Sequence, residues 1–153
     1  MASKTFSFFA LAIIAVFIHS GHADLQYTDC GSKTGTLEKV DMIPPCVTEV
    51  CTLPSGQNVT IKLTFKSNEV AKSVTAVVHG LIGGLPFPFP LPNPNACQDS
   101  GLTCPLQAST EYQYHEELPI LSSYPKLAVT IKYELVDENK EDIVCVEIPS
   151  QIK

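Results

Sequence analysis

Tryptophan and arginine are both absent from this chain of 153 residues. Without tryptophan, the central ring on which antibody domains pack their inter-sheet disulfide is excluded. Without arginine, and with a formal charge of −6, no basic surface is available for phosphate, so nucleic acid is excluded as a partner. Catalytic motifs are missing too. There is no Gly-x-Ser-x-Gly elbow and no His-Glu-x-x-His, and pairing of all six cysteines would leave no thiol nucleophile. The sequence therefore reads as a non-enzyme. No cysteine–histidine cluster has zinc-ligand spacing, so neither a metal nor a cofactor is expected. Gly80–Gly84 resembles a phosphate loop only in its glycine count. His79 reads as a structural histidine at a strand end, and His115-Glu116-Glu117 as a solvated edge.

Long apolar runs are scarce as well. Only Phe6–Ile18 qualifies, and it is too short to span a bilayer. It follows Lys4 and precedes the small residues of Gly21-His22-Ala23, which is the pattern of a secretory leader. We read 1–23 as that leader, cleaved before Asp24, and 24–153 as one domain. Loss of Lys4 makes the mature chain one charge more negative. The six cysteines all follow the leader and suit an oxidising compartment, outside the cell or in a lysosomal lumen. Short loops close readily, which favours pairing Cys46 with Cys51 and Cys97 with Cys104 and leaves Cys30 for Cys145. Asn58-Val59-Thr60 is a glycosylation sequon, making Asn58 a candidate acceptor.

What the chain does have is proline, at alternate positions from Pro86 to Pro94. Proline lacks an amide hydrogen and fixes φ, so this strip cannot be helical or lie inside a sheet. The residue before each proline is pushed to extended geometry. Phe87, Phe89 and Leu91 are thus carried on a stiff strip suited to a sheet edge or the wall of an apolar site. Elsewhere period-two alternation dominates. It runs through Val59, Ile61, Leu63 and Phe65, through Leu127 to Leu135, and through Val144, Val146 and Ile148. Leu25–Cys30, Thr36–Met42, Ala71–His79 and Thr110–Glu117 are further strand candidates. About seven short strands with turn signals between them predict an all-β antiparallel sandwich.

Several motifs stand in a telling order: Asp29-Cys30-Gly31-Ser32, Val77-Val78-His79-Gly80, the Phe87–Pro92 strip, Cys104-Pro105-Leu106, Leu118-Pro119-Ile120, Tyr124-Pro125 and Cys145–Pro149. In this order they resemble the Niemann-Pick type C2 proteins of the MD-2-related lipid-recognition group, across essentially the whole mature chain. The 93–103 loop looks more like that of arthropod members. The resemblance implies an immunoglobulin-like sandwich with a hydrophobic pocket between its sheets and three disulfides, Cys30–Cys145, Cys46–Cys51 and Cys97–Cys104. It implies a carrier of sterol, or alternatively of long-chain fatty acids or semiochemicals, or an immune lipid-recognition module. The implied lipid-binding set is Ile43, Val59, Ile61, Phe87, Phe89, Pro119, Ile120 and Tyr124. The expected partners are a small lipid and a donor membrane or membrane sterol transporter, met by a monomer. Asn95 and Gln98 stand where sterol-carrying vertebrate members have the acidic residue and lysine used in membrane or partner contact.

Overall fold

Period-two patterning becomes strand pairing over residues 25–153, which are the residues that the computed structural model describes. The expected leader, 1–23, lies outside them. Nine strands form: β1 (Thr28–Asp29), β2 (Gly35–Ile43), β3 (Cys51–Leu53), β4 (Gln57–Ser67), β5 (Val74–Ile82), β6 (Leu85–Pro88), β7 (Thr110–Ile120), β8 (Ala128–Asp137) and β9 (Asp142–Ile152). They make two sheets, one ordered β1-β9-β8-β5-β6 with β3 beside β9, the other β2-β4-β7. Every pairing is antiparallel except that of β3 with β9. The seven expected strands are all present, and β3 and β6 are additional. A three-residue strand such as β3 has no periodicity to read.

β6 is the start of the proline strip, and its register explains the alternation. Gly80 lies opposite Phe87 and Ile82 opposite Leu85, and the Phe89 N–H donates to the Val78 carbonyl at 2.9 Å. In an antiparallel pair only alternate residues bond the neighbouring strand. Here those are Leu85, Phe87 and Phe89, so the nitrogens of Pro86 and Pro88 face away from β5, where no donor is needed. Further along, the Ala76 N–H bonds the Pro94 carbonyl at 2.8 Å and the Ala96 N–H bonds Val74 at 3.0 Å. β5 is thus bordered along most of its length.

The three disulfides pair as expected: Cys30–Cys145, Cys46–Cys51 and Cys97–Cys104. The first joins β1 to β9. The third closes a loop that lies on the edge of β7, where the His115 N–H donates to the Ser100 carbonyl at 2.9 Å. Gly101 makes this approach possible, since a β-carbon there would sit 2.6 Å from the Gln113 carbonyl oxygen.

Between the sheets, Val59, Ile61, Leu63 and Phe65 of β4 are fully buried against Val144, Val146 and Ile148 of β9 and Tyr133 and Leu135 of β8. The interior is not uniformly apolar. The hydroxyls of Tyr114 and Tyr133 meet at 2.6 Å, with ring centroids 5.8 Å apart. Burial pushes both phenols well above their ordinary pKa.

Glu116 corrects the reading of His115-Glu116-Glu117 as a solvated edge. The alternation of β7 turns His115 and Glu117 outward and Glu116 inward, opposite Ile61 and only 9% exposed. Burial raises its carboxyl pKa. The Glu117 backbone N–H and the His115 side chain work against that rise, and the Glu117 carboxylate adds to it.

Two outcomes are expected. Tyr133→Phe strands the Tyr114 hydroxyl and should cost about 1–3 kcal/mol, with the Tyr114→Phe/Tyr133→Phe double variant losing less than the two single losses combined. Urea unfolding measures this, and a loss below about 0.5 kcal/mol would contradict the pairing. Glu116→Gln tests the buried carboxyl. With its folded pKa raised, the native state holds the proton more tightly, so stability falls as pH rises through the shifted value. The variant should therefore be the more stable protein near neutral pH, and that advantage should vanish below about pH 4, under the unfolded carboxyl value. Parallel pH profiles for both proteins would refute the shift.

Candidate functional site at the open end of the sandwich

Where β5 leaves Val78 and meets Gly80, the two sheets stop closing on each other. A cavity of about 110 Å³ opens there. Val78, Gly80 and Ile82 of β5, Leu118 and Ile120 of β7, and Val129 and Ile131 of β8 form its walls, joined by Leu53, Leu127 and Ile152. Phe87 and Phe89 enter from the proline strip, and Tyr124 and Pro125 from the loop after β7. The direct pairings explain why both phenylalanines point inward. Phe89 sits opposite Val78 and Phe87 opposite Gly80, so each shares the inner face with its partner. Gly80 offers Phe87 no side chain, and even a methyl there would stand 3.0 Å from the Val129 Cγ2. That missing side chain leaves space beside the strip.

The mouth is framed by aromatic contact. Phe89 and Tyr124 have ring centroids 5.6 Å apart at 58°, and the loop carrying Tyr124 is held by its N–H to the Leu121 carbonyl at 3.0 Å. No described side chain bonds the Tyr124 hydroxyl, which leaves it available to a ligand or to water. Around the mouth the surface is unusually apolar. Leu85, Phe87, Leu121 and Ile43 are all exposed, and all lie at the strand ends of this end of the sandwich.

Of the eight residues expected in a lipid site, Phe87, Phe89, Ile120 and Tyr124 come together at the cavity. The other four do not line it. Val59 and Ile61 are fully buried on the inner face of β4, the central strand of the smaller sheet, where the opposing sheet covers them. Pro119 takes the outward phase between Leu118 and Ile120, opposite Asn58. Ile43, at the end of β2, is 49% exposed and belongs to the apolar surface of this end. Asn58 itself lies on the outer face of β4 and donates to Glu117 at 2.9 Å. His79 also faces outward, its Nδ1 3.8 Å from Glu134, which Lys132 contacts at 2.7 Å.

Sequence reasoning missed the walls supplied by β5 and β8. The signal was available in part, since Val78, Gly80 and Ile82 alternate in phase directly ahead of the strip.

Comparison with known proteins bears on this geometry. The ML domain family model matches residues 24–152. The NPC intracellular cholesterol transporter 2 homolog a of Drosophila melanogaster is 43% identical over 145 residues, 94% of this chain and 96% of its own length. The mouse NPC intracellular cholesterol transporter 2 is 37% identical, over 93% of this chain and 94% of its own. The ecdysteroid-regulated 16 kDa protein of Manduca sexta is 42% identical, over 91% of this chain and 95% of its own. Among solved structures, a Niemann-Pick type C2 protein from the Japanese carpenter ant superposes with a TM-score of 0.79 at 30% identity, covering 84% of this chain and 99% of that one. In sequence, disulfide-linked sandwich and fold alike, the chain belongs to the ML domain family and, within it, to the Niemann-Pick type C2 proteins.

Proposed function

We propose that this protein is a non-catalytic sterol carrier of a secretory or lysosomal lumen. The observation that carries the reading is an almost wholly apolar cavity, open at one end, with Phe89 and Tyr124 in contact at its mouth. Relatives at 37–43% identity named as cholesterol transporters support sterol as the ligand. No reactive group is required. At about 25 cal/mol per Å², burying roughly 400 Å² of lipid contributes about 10 kcal/mol gross. Ordering and lost motion offset several of those kcal/mol, which leaves micromolar to nanomolar affinity. The cavity is smaller than typical ligand pockets of about 300–1,000 Å³, so uptake requires Phe89 and Tyr124 to part and the walls to widen.

The apolar surface around the mouth supports a donor membrane as the place where lipid is exchanged. The disulfides and the apolar leader support secretion, and the exposed position of Asn58 supports glycan attachment there.

Delipidated protein should take up a fluorescent sterol saturably at one site per chain, and absence of saturable uptake would sink the proposal. Phe89→Ala and Tyr124→Ala should each weaken uptake at least several-fold while the circular dichroism spectrum stays that of a β-protein. Unchanged affinity in both variants would move the gate elsewhere.

A further inference from the structure

β5 carries a glycine where the phase of the strand calls for an apolar side chain. Val78 and Ile82 take the inward positions on either side of Gly80, and all three line the cavity. The backbone of Gly80 is not left-handed, unlike that of Gly83 and Gly84 in the turn that follows, so conformational freedom is not what the position requires. A glycine inside a strand weakens it and marks a place where something approaches the backbone closely. Packing within the protein does not supply that something. At Gly35, the other glycine of the described strands, a β-carbon would lie 2.6 Å from the Ile143 carbonyl oxygen, so the fold itself needs the space. At Gly80 a β-carbon would meet one atom within 4 Å, the Val129 Cγ2 at 3.0 Å. No atom of Phe87 comes that near, although Phe87 is the direct partner of Gly80 on β6. Phe87 is half exposed and does not fold down over the glycine. The wall therefore holds a trough floored by the bare backbone of Gly80. Phe87 flanks it on one side, Ile131 and Val129 on the other, and Leu118 and Ile120 face it from the second sheet.

Resting on the carrier reading above, we infer that Gly80 is the residue that fits the pocket to fused-ring lipids, its bare backbone being the seat for the flat face of a sterol. Single-chain and fused-ring lipids use such a trough differently. A saturated acyl chain turns about each of its bonds and routes round one projecting methyl. A fused ring system is rigid and broad. A methyl standing out of the wall holds the whole plate away from it, and every contact along that face is weakened together. The Gly80–Val129 gap thus sets how thick a rigid ligand can enter, while a single chain passes either way.

The test compares radiolabelled cholesterol with radiolabelled palmitic acid on delipidated protein, and wild-type protein should bind both. Gly80→Ala should weaken cholesterol about tenfold or more, the scale of one carbon in a close-fitting apolar pocket, and palmitic acid by less than about threefold. Gly80→Ala/Val129→Ala removes the methyl that the new side chain meets, and should return cholesterol affinity to within about threefold of wild type. Val129→Phe fills the same trough from β8 with the glycine intact. It should repeat the split between the two lipids, and it decides the inference if Gly80→Ala does not fold. Equal weakening of the two lipids in a folded variant, unaltered cholesterol affinity, no recovery in the double variant, or refusal of palmitic acid by wild-type protein overturns the inference and leaves the carrier reading intact. Failure of wild-type protein to bind cholesterol overturns the carrier reading itself, and the inference with it.

Discussion

The backbone pairing of the proline strip with β5 is the constraint on which the open end depends. Phe87 and Phe89 reach the interior because their amides bond β5 and their side chains share its inner face. Proline stiffens the strip between those bonds, so the rings cannot collapse onto the sheet and close the gap. β7 and β8 bring Leu118, Ile120, Val129 and Ile131 to the same space from the two sheets. The cavity thus exists because one edge strand is held extended over a glycine. No catalytic arrangement is needed to explain it.

The rest of the interior grades away from that opening. Aliphatic and aromatic side chains surround the cavity, the hydroxyls of Tyr114 and Tyr133 meet in the interior, and Phe65, Leu135 and Ile143 are fully buried beyond. The covalent links hold the frame around this gradient. Cys46–Cys51 fastens the loop that precedes β3 at the open end, and Cys30–Cys145 ties the first strand to β9. A sandwich framed in this way can keep one end loosely filled without losing its register.

Much of the fold was legible because burial on one face writes itself into a strand as alternation. Seven strands could be read in that way, whereas the disulfides were legible in loop lengths and family resemblance and the edge character of the strip in its prolines. Which inward positions meet empty space could not. Val59 and Val78 are equally inward and apolar, yet only Val78 lines the cavity, and the difference lies in how the sheets are offset. Ile43 and Pro119 stand apart from the cavity for a related reason, since neighbours in sequence at a strand end point to different surfaces. Glu116 was readable. Tyr112, Tyr114, Glu116, Leu118 and Ile120 share one phase, and a local reading of three polar residues obscured it.

The outward side of the strip has a consequence for the protein in company. Along that edge Pro86 and Pro88 present ring carbons where an ordinary strand would present amide donors. An incoming strand finds no N–H there to bond, so the larger sheet cannot be extended at that side by a second molecule. On the other sheet, the disulfide-closed loop already occupies the His115 amide on the edge of β7. Beside the mouth, the edge of the larger sheet formed by the strip is thus blunted against strand addition. The prolines that stiffen the wall of the pocket therefore also leave its outer edge without amide donors.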